Sequence, residues 1–134
     1  MKNPFYFIVG LLCILFAGTQ TWNGLQTVLP MLYVSNLDHS TITNFTYQWH
    51  IISMEQLVFG IALLIMAFQK NAARVKIAVW VIIALLLGRG LIITVVTLSF
   101  GISNVVNLLT STIGIFVLVV LLVLGTRVKD KSHT

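Results

Sequence analysis

Glu55 and Arg89 are the residues whose types and positions point most directly to chemistry. Each is ionisable, and each lies inside a long apolar run: "HIISMEQLVFGIALLIMAF" for the glutamate and "VWVIIALLLGRGLIITVV" for the arginine. A lone charge at the centre of a membrane helix costs about 2.5 to 3.5 kcal/mol on insertion scales, so such residues pair, face a wet cavity or meet a ligand. Counted along ideal helices, Glu55 lies about 9 Å below Trp49 and Arg89 about 14 Å below Leu98, an axial offset of about 5 Å that long side chains can span. The guanidinium fork presents two parallel donors to one carboxylate, the best match for a desolvated pair. Glu55 and Arg89 are therefore expected to face each other. One reading is a static salt bridge that holds helix register. The other is a polar site in which Arg89 holds an anionic group and Glu55 holds a cation or exchanges a proton.

Further polar residues fall at a similar depth: Gln20, His50, Ser53, Gln56, Thr94, Thr97, Asn104, Asn107 and Ser111. The opposite halves of the apolar runs are nearly pure hydrocarbon, as in "IALLIMAF" and "VLVVLLVLG". This asymmetry predicts a cavity open outward, or closed by the long outer segment, and sealed toward the cytoplasm, with Glu55, Arg89, His50, Gln20, Asn107 and Ser111 as its ligand-binding or structural polar residues. His50 follows Tyr47 and Trp49, so it reads either as an interfacial residue of an aromatic belt or as a pH-responsive contact. Its helical offset from Glu55 is about 140°, too wide for one face to centre on both.

Enzyme chemistry finds little to work with. There is no CxxC for disulfide exchange, no HExxH for zinc and no glycine loop for phosphate. Cys13 reads as a small packing residue, and Asp38 with His39 would need further ligands to hold a metal. No catalytic residue, metal or cofactor is expected.

The elements that position these residues follow from composition. The chain has 134 residues, 58% hydrophobic and 8% charged, with mean hydropathy +1.02. A soluble domain carries about a quarter charged residues, so its solvent is lipid. Four stretches approach the roughly 20 residues that a membrane-crossing helix needs: 4–22, 49–69, 75–98 and 104–126. A closed barrel would alternate polar with apolar residues, which these stretches do not. The expected fold is an all-α, four-helix transmembrane bundle forming a single domain over 1–134. The first stretch follows one basic residue and lacks a small-residue cleavage site, so it is read as a span and not a removable signal peptide.

Lys2, Lys70, Arg74, Lys76, Arg127, Lys129 and Lys131 all fall on one side of these spans, while 23–48 and the turn after Leu98 contain no Lys or Arg. The positive-inside bias then places both termini in the cytoplasm and the long 23–48 segment outside, between helices 1 and 2. The net charge of +5 is thus a topology signal and an affinity for anionic lipid, with no soluble basic face for nucleic acid. In the outer segment, Leu25, Val28, Leu29, Leu32 and Tyr33 recur at helical spacing. Either a short amphipathic helix, its regularity limited by Pro30, lies on the membrane or caps the bundle, or the first span continues outward as a longer, bent helix. Asn44, Phe45 and Thr46 form a glycosylation sequon that matters only in a secretory-pathway host. Small and polar residues mark the expected inward faces: Gly10, Cys13, Ala17, Gln20 and Gly24 in span one, Gly88 and Gly90 in span three, and Asn104, Asn107, Ser111 and Gly114 in span four.

Four short spans, a long first outer loop, "WHIISMEQLVFG" at Trp49 to Gly60 and "LLLGRG" at Leu85 to Gly90 together resemble small bacterial membrane proteins of the DoxX-like type. The resemblance implies a four-helix bundle acting as an accessory subunit or as a binder of small lipophilic molecules, and carries no catalytic residue across. Two functions compete. The first is a non-enzymatic inner-membrane protein that binds or transports a small amphipathic or polar ligand around Glu55 and Arg89. The second is an accessory or immunity-type subunit that engages another membrane protein or a second copy, with Glu55 and Arg89 as a structural salt bridge.

Overall fold

A computed structural model of the chain describes residues 3–99 and 105–128, without the side chains of Ala72 and residues 105–108. The described residues are 92% helical, as they must be where lipid offers backbone groups no hydrogen-bond partner. The elements are α1 (Pro4–Asn23), a π-helical segment (Gly24–Val28), α2 (Leu29–Val34), α3 (His39–Phe68), α4 (Ala72–Ser99) and α5 (Val105–Arg127). Among the described residues, four helices are long and apolar enough to cross a membrane: the continuous stretch Pro4–Val34, then His39–Phe68, Ala73–Ser99 and Leu109–Arg127.

The first two of these are about 45 Å long at 1.5 Å per residue, well beyond the roughly 30 Å of hydrocarbon. The 23–48 stretch is therefore almost entirely helix, being the end of the first stretch and the start of α3, joined through Ser35 to Asp38. Of its two sequence readings, continuation of the first helix is the one adopted. Pro30 accounts for the π-helical segment. It lacks an N–H, and in an α-helix its ring would strike the carbonyl of Gln26. Widening the helix over Gly24–Val28, where the Leu29 N–H bonds to the Gly24 carbonyl, relieves that contact.

Short polar side chains close the helix ends. Asn3 caps α1, its Oδ1 accepting from the N–H of Phe5 at 3.2 Å and of Tyr6 at 3.4 Å, with Pro4 at the first helical position. Asp38 caps α3 by accepting from the Thr41 N–H at 3.0 Å and from the Thr41 hydroxyl. These bonds hold its carboxyl below the usual aspartate range. Asn71 caps α4 through the Arg74 N–H.

Contacts group the chain into two compact units, Gly10–Leu64 and Met1–Val9 with Ile65–Thr134. In the Gly10–Leu64 unit, the buried face of α1 carries Gly10, Cys13 and Ala17, continued by Gly24, with Gln20 half-buried on the same stripe. On α3 the buried positions Ser53, Gln56, Gly60 and Leu63 alternate spacings of three and four, the repeat of a left-handed helix pair. The two backbones nearly touch where glycine meets glycine: a Cβ on Gly10 would lie 2.9 Å from the Gly60 carbonyl oxygen. In the other unit α4 and α5 pack on each other, Gly90 facing the Ile115 side chain. The start of α1 is tied there by Asn3, whose Nδ2 donates to the Gly125 carbonyl at 2.7 Å while its N–H donates to that of Ala67. Tyr6 lies against Gly125, and Phe7 meets Phe68 edge-on.

Two expected inward faces differ. Gly88 is exposed, and a Cβ at Gly88 or Gly114 would meet nothing within 4 Å. The α4 seam runs through Val79, Ile83, Leu86 and Gly90, so Gly88 lies about 200° around the helix from both Leu86 and Gly90. Ser111 is likewise exposed.

Candidate functional site

Between α1 and α3 of the Gly10–Leu64 unit lies an open, groove-like cavity of about 710 Å³, with Trp22, Leu25, Ile51 and Met54 exposed along it. Its origin is local. The helices are pinned together by the Gly10 and Gly60 backbones at one level and by Trp49 at another, where the indole presses on Gly24 and its Nε1 donates to the Gln20 carbonyl at 3.0 Å. Between these two tight points α1 presents Ala17 and Gly18, which carry too little side chain to fill the gap, and a Cβ on Gly18 would meet nothing within 4 Å. Ile14, Trp22 and Leu25 complete that wall, and Ile51, Met54 and Leu57 of α3 face it.

Three polar side chains line the cavity: Thr21, His50 and Ser53. Two of them are satisfied by their own helix, the Thr21 hydroxyl donating to the Ala17 carbonyl at 2.9 Å and the Ser53 hydroxyl to that of Trp49 at 3.1 Å. The exposed His50 imidazole is left as the ionisable group of the lining. Such a chamber can take an apolar tail along its length and a polar end beside one imidazole.

The six residues singled out from sequence are distributed as follows. His50 lines the cavity. Gln20 is half-buried and contributes its backbone carbonyl as the anchor for Trp49. Glu55, on α3, is half-buried beside the buried Gln56 and is not among the residues lining the cavity. Arg89, on α4 in the other unit, is half-buried and engaged by a neighbouring group. Ser111 is exposed, and the Asn107 side chain lies outside the described residues.

The hydroxyl groups of these helices donate locally. Besides Thr21 and Ser53, Thr94 bonds back to its own helix, at the Gly90 carbonyl. Ser and Thr reach the carbonyl four residues earlier without any partner helix, so a polar residue in a span need not mark a polar cavity. Sequence reasoning also missed Gly18, Thr21, Trp22 and Met54. Ala17 and Gly18 were visible as small residues, but whether small residues close a seam or leave a gap depends on what stands opposite.

No protein-family model, curated protein or solved structure matches the chain.

Proposed function

We propose that this chain is a multi-pass protein of a bacterial inner membrane, both termini cytoplasmic, that binds a small amphipathic molecule in the α1–α3 cavity without catalysing a reaction. The cavity carries this reading. At about 710 Å³ it falls within the roughly 300 to 1,000 Å³ of small-molecule sites, and it has their mostly apolar lining with few polar groups. The one-sided basic residues support the orientation, which puts the His50 end of α3 outward. The DoxX-like layout favours a lipophilic ligand as well.

Gly18→Phe tests it, because the new ring has room on α1 and fills the chamber. With a dansyl-labelled fatty acid as probe and tryptophan excitation, the full chain in nanodiscs should transfer energy to bound dansyl, and Gly18→Phe should weaken binding at least about tenfold, or about 1.4 kcal/mol. Equal binding by wild type and variant sinks the proposal.

The expectation that Glu55 and Arg89 pair, which the cost of an unpartnered charge in a span supports, has its own test. Exchanging them, Glu55→Arg with Arg89→Glu, should preserve probe binding if the pair only holds register, and abolish it if either contacts the ligand. The second reading, an accessory or immunity-type subunit, is favoured by the open space at Gly88 and Gly114, where another helix could approach closely. Consistent isolation of a lone polypeptide in mild detergent argues against it.

A further inference from the structure

We infer that the turn between α3 and α4 holds the headgroup of an anionic phospholipid. The turn is short, Phe68 ending one long apolar helix and Ala72 beginning the next, so it lies at the edge of the hydrocarbon if both helices cross. A hollow of about 320 Å³ opens there, in the Met1–Val9 with Ile65–Thr134 unit. Arg74, Asn71 and Gln69 form its polar part, and Met66, Val75 and Ala78 its apolar part. A second hollow, of about 510 Å³, shares Gln69 and adds Lys70 beside Ile65 and Phe68.

Charge selects the occupant. No Asp or Glu occurs between Glu55 and Asp130, so Lys70, Arg74 and Lys76 share this stretch with no carboxylate near in sequence. The Asn71 Oδ1 is occupied by the Arg74 N–H, which leaves its amide N–H groups as donors. Guanidinium, ammonium and amide donors together suit a phosphate. The apolar side chains in the same hollows decide between a free anion and a lipid: inorganic phosphate gains nothing from Met66, Val75 or Phe68, whereas a phospholipid brings acyl chains to cover them. The inference rests on α3 and α4 crossing the membrane and is independent of any ligand in the α1–α3 cavity.

The test uses the full chain in nanodiscs of phosphatidylcholine with a minority of phosphatidylglycerol, released into mild detergent, with retained lipid counted by native mass spectrometry. Wild type should retain phosphatidylglycerol over phosphatidylcholine. Arg74→Gln and Lys70→Gln should each lower that preference roughly fivefold, the share of one basic residue near an anionic surface. Lys76→Gln removes the same charge from a residue that lines neither hollow and should lower the preference clearly less than either of them. If Arg74→Gln does not fold, Lys70→Gln against Lys76→Gln reads the same contrast. Equal retention of both lipids by wild type, or equal losses in all three variants, overturns the inference. So does full displacement of phosphatidylglycerol by inorganic phosphate, which would mark a site for the free anion.

Discussion

At the scale of single residues, glycine does different work at different points of one helix. Gly10 and Gly60 stand where any side chain meets backbone: a Cβ on Gly60 would lie 2.8 Å from the Gly10 carbonyl oxygen and 2.6 Å from the Ile14 Cγ1. Gly60→Ala should therefore destabilise the fold by about 1 to 3 kcal/mol, the usual range for overpacking. Gly18→Ala meets open space and should be neutral or slightly stabilising. Thermal unfolding in one detergent, followed by far-UV circular dichroism, separates the two, and equal melting temperatures would contradict the close approach. Trp49 is the other pinning residue. Trp49→Phe keeps an aromatic ring but deletes the donor to the Gln20 carbonyl, with an expected loss of about 1 kcal/mol in the same assay. The Gly10 stripe was legible in the sequence because small residues recur at helical spacing. The Trp49 contact was not, since Trp49 also suited an interfacial belt.

At the scale of elements, caps and breakers act where their chemistry dictates. Asn3 before Pro4 starts α1, and Asp38, three residues before Thr41, starts α3. The lowered Asp38 value means that folding favours its charged form. The stabilisation is complete above the usual aspartate range and is lost as pH falls through the lowered folded value. Amide protection at Thr41 and Ile42, taken relative to intrinsic exchange at each pH, should fall on acidification through that window, and Asp38→Ala should show the low protection already at neutral pH. Protection that stays constant across that window in wild type would refute the capping role. Pro30 was legible as a disturbance of helix, but sequence left open whether the chain would stop there or pass through. Widening by one residue per hydrogen-bonded ring let it pass, and the separate surface helix did not form.

At the scale of the whole molecule, the distribution of basic residues makes a prediction that does not depend on packing. In a Cys13→Ala background, Leu37→Cys, in the link between α2 and α3, should react with a membrane-impermeant maleimide added to intact cells. Gln69→Cys, at the α3–α4 turn, should react only after the membrane is opened. The reverse pattern would invert the proposed orientation and move the anionic-lipid site to the other leaflet. By itself, the amino-acid sequence determined that the chain is helical and has stretches apolar and long enough for four crossings, because a span in hydrocarbon must bond every backbone group within its own segment. It also marked the α1 face that would be buried. Only the tertiary structure decided where space remains. Leu, Ile and Val suit lipid and protein interior equally, so composition cannot say which side chains meet and which stand apart. The gap at Gly18 exists because Gly10, Gly60 and Trp49, distant from one another along the chain, fix the helices on either side of it.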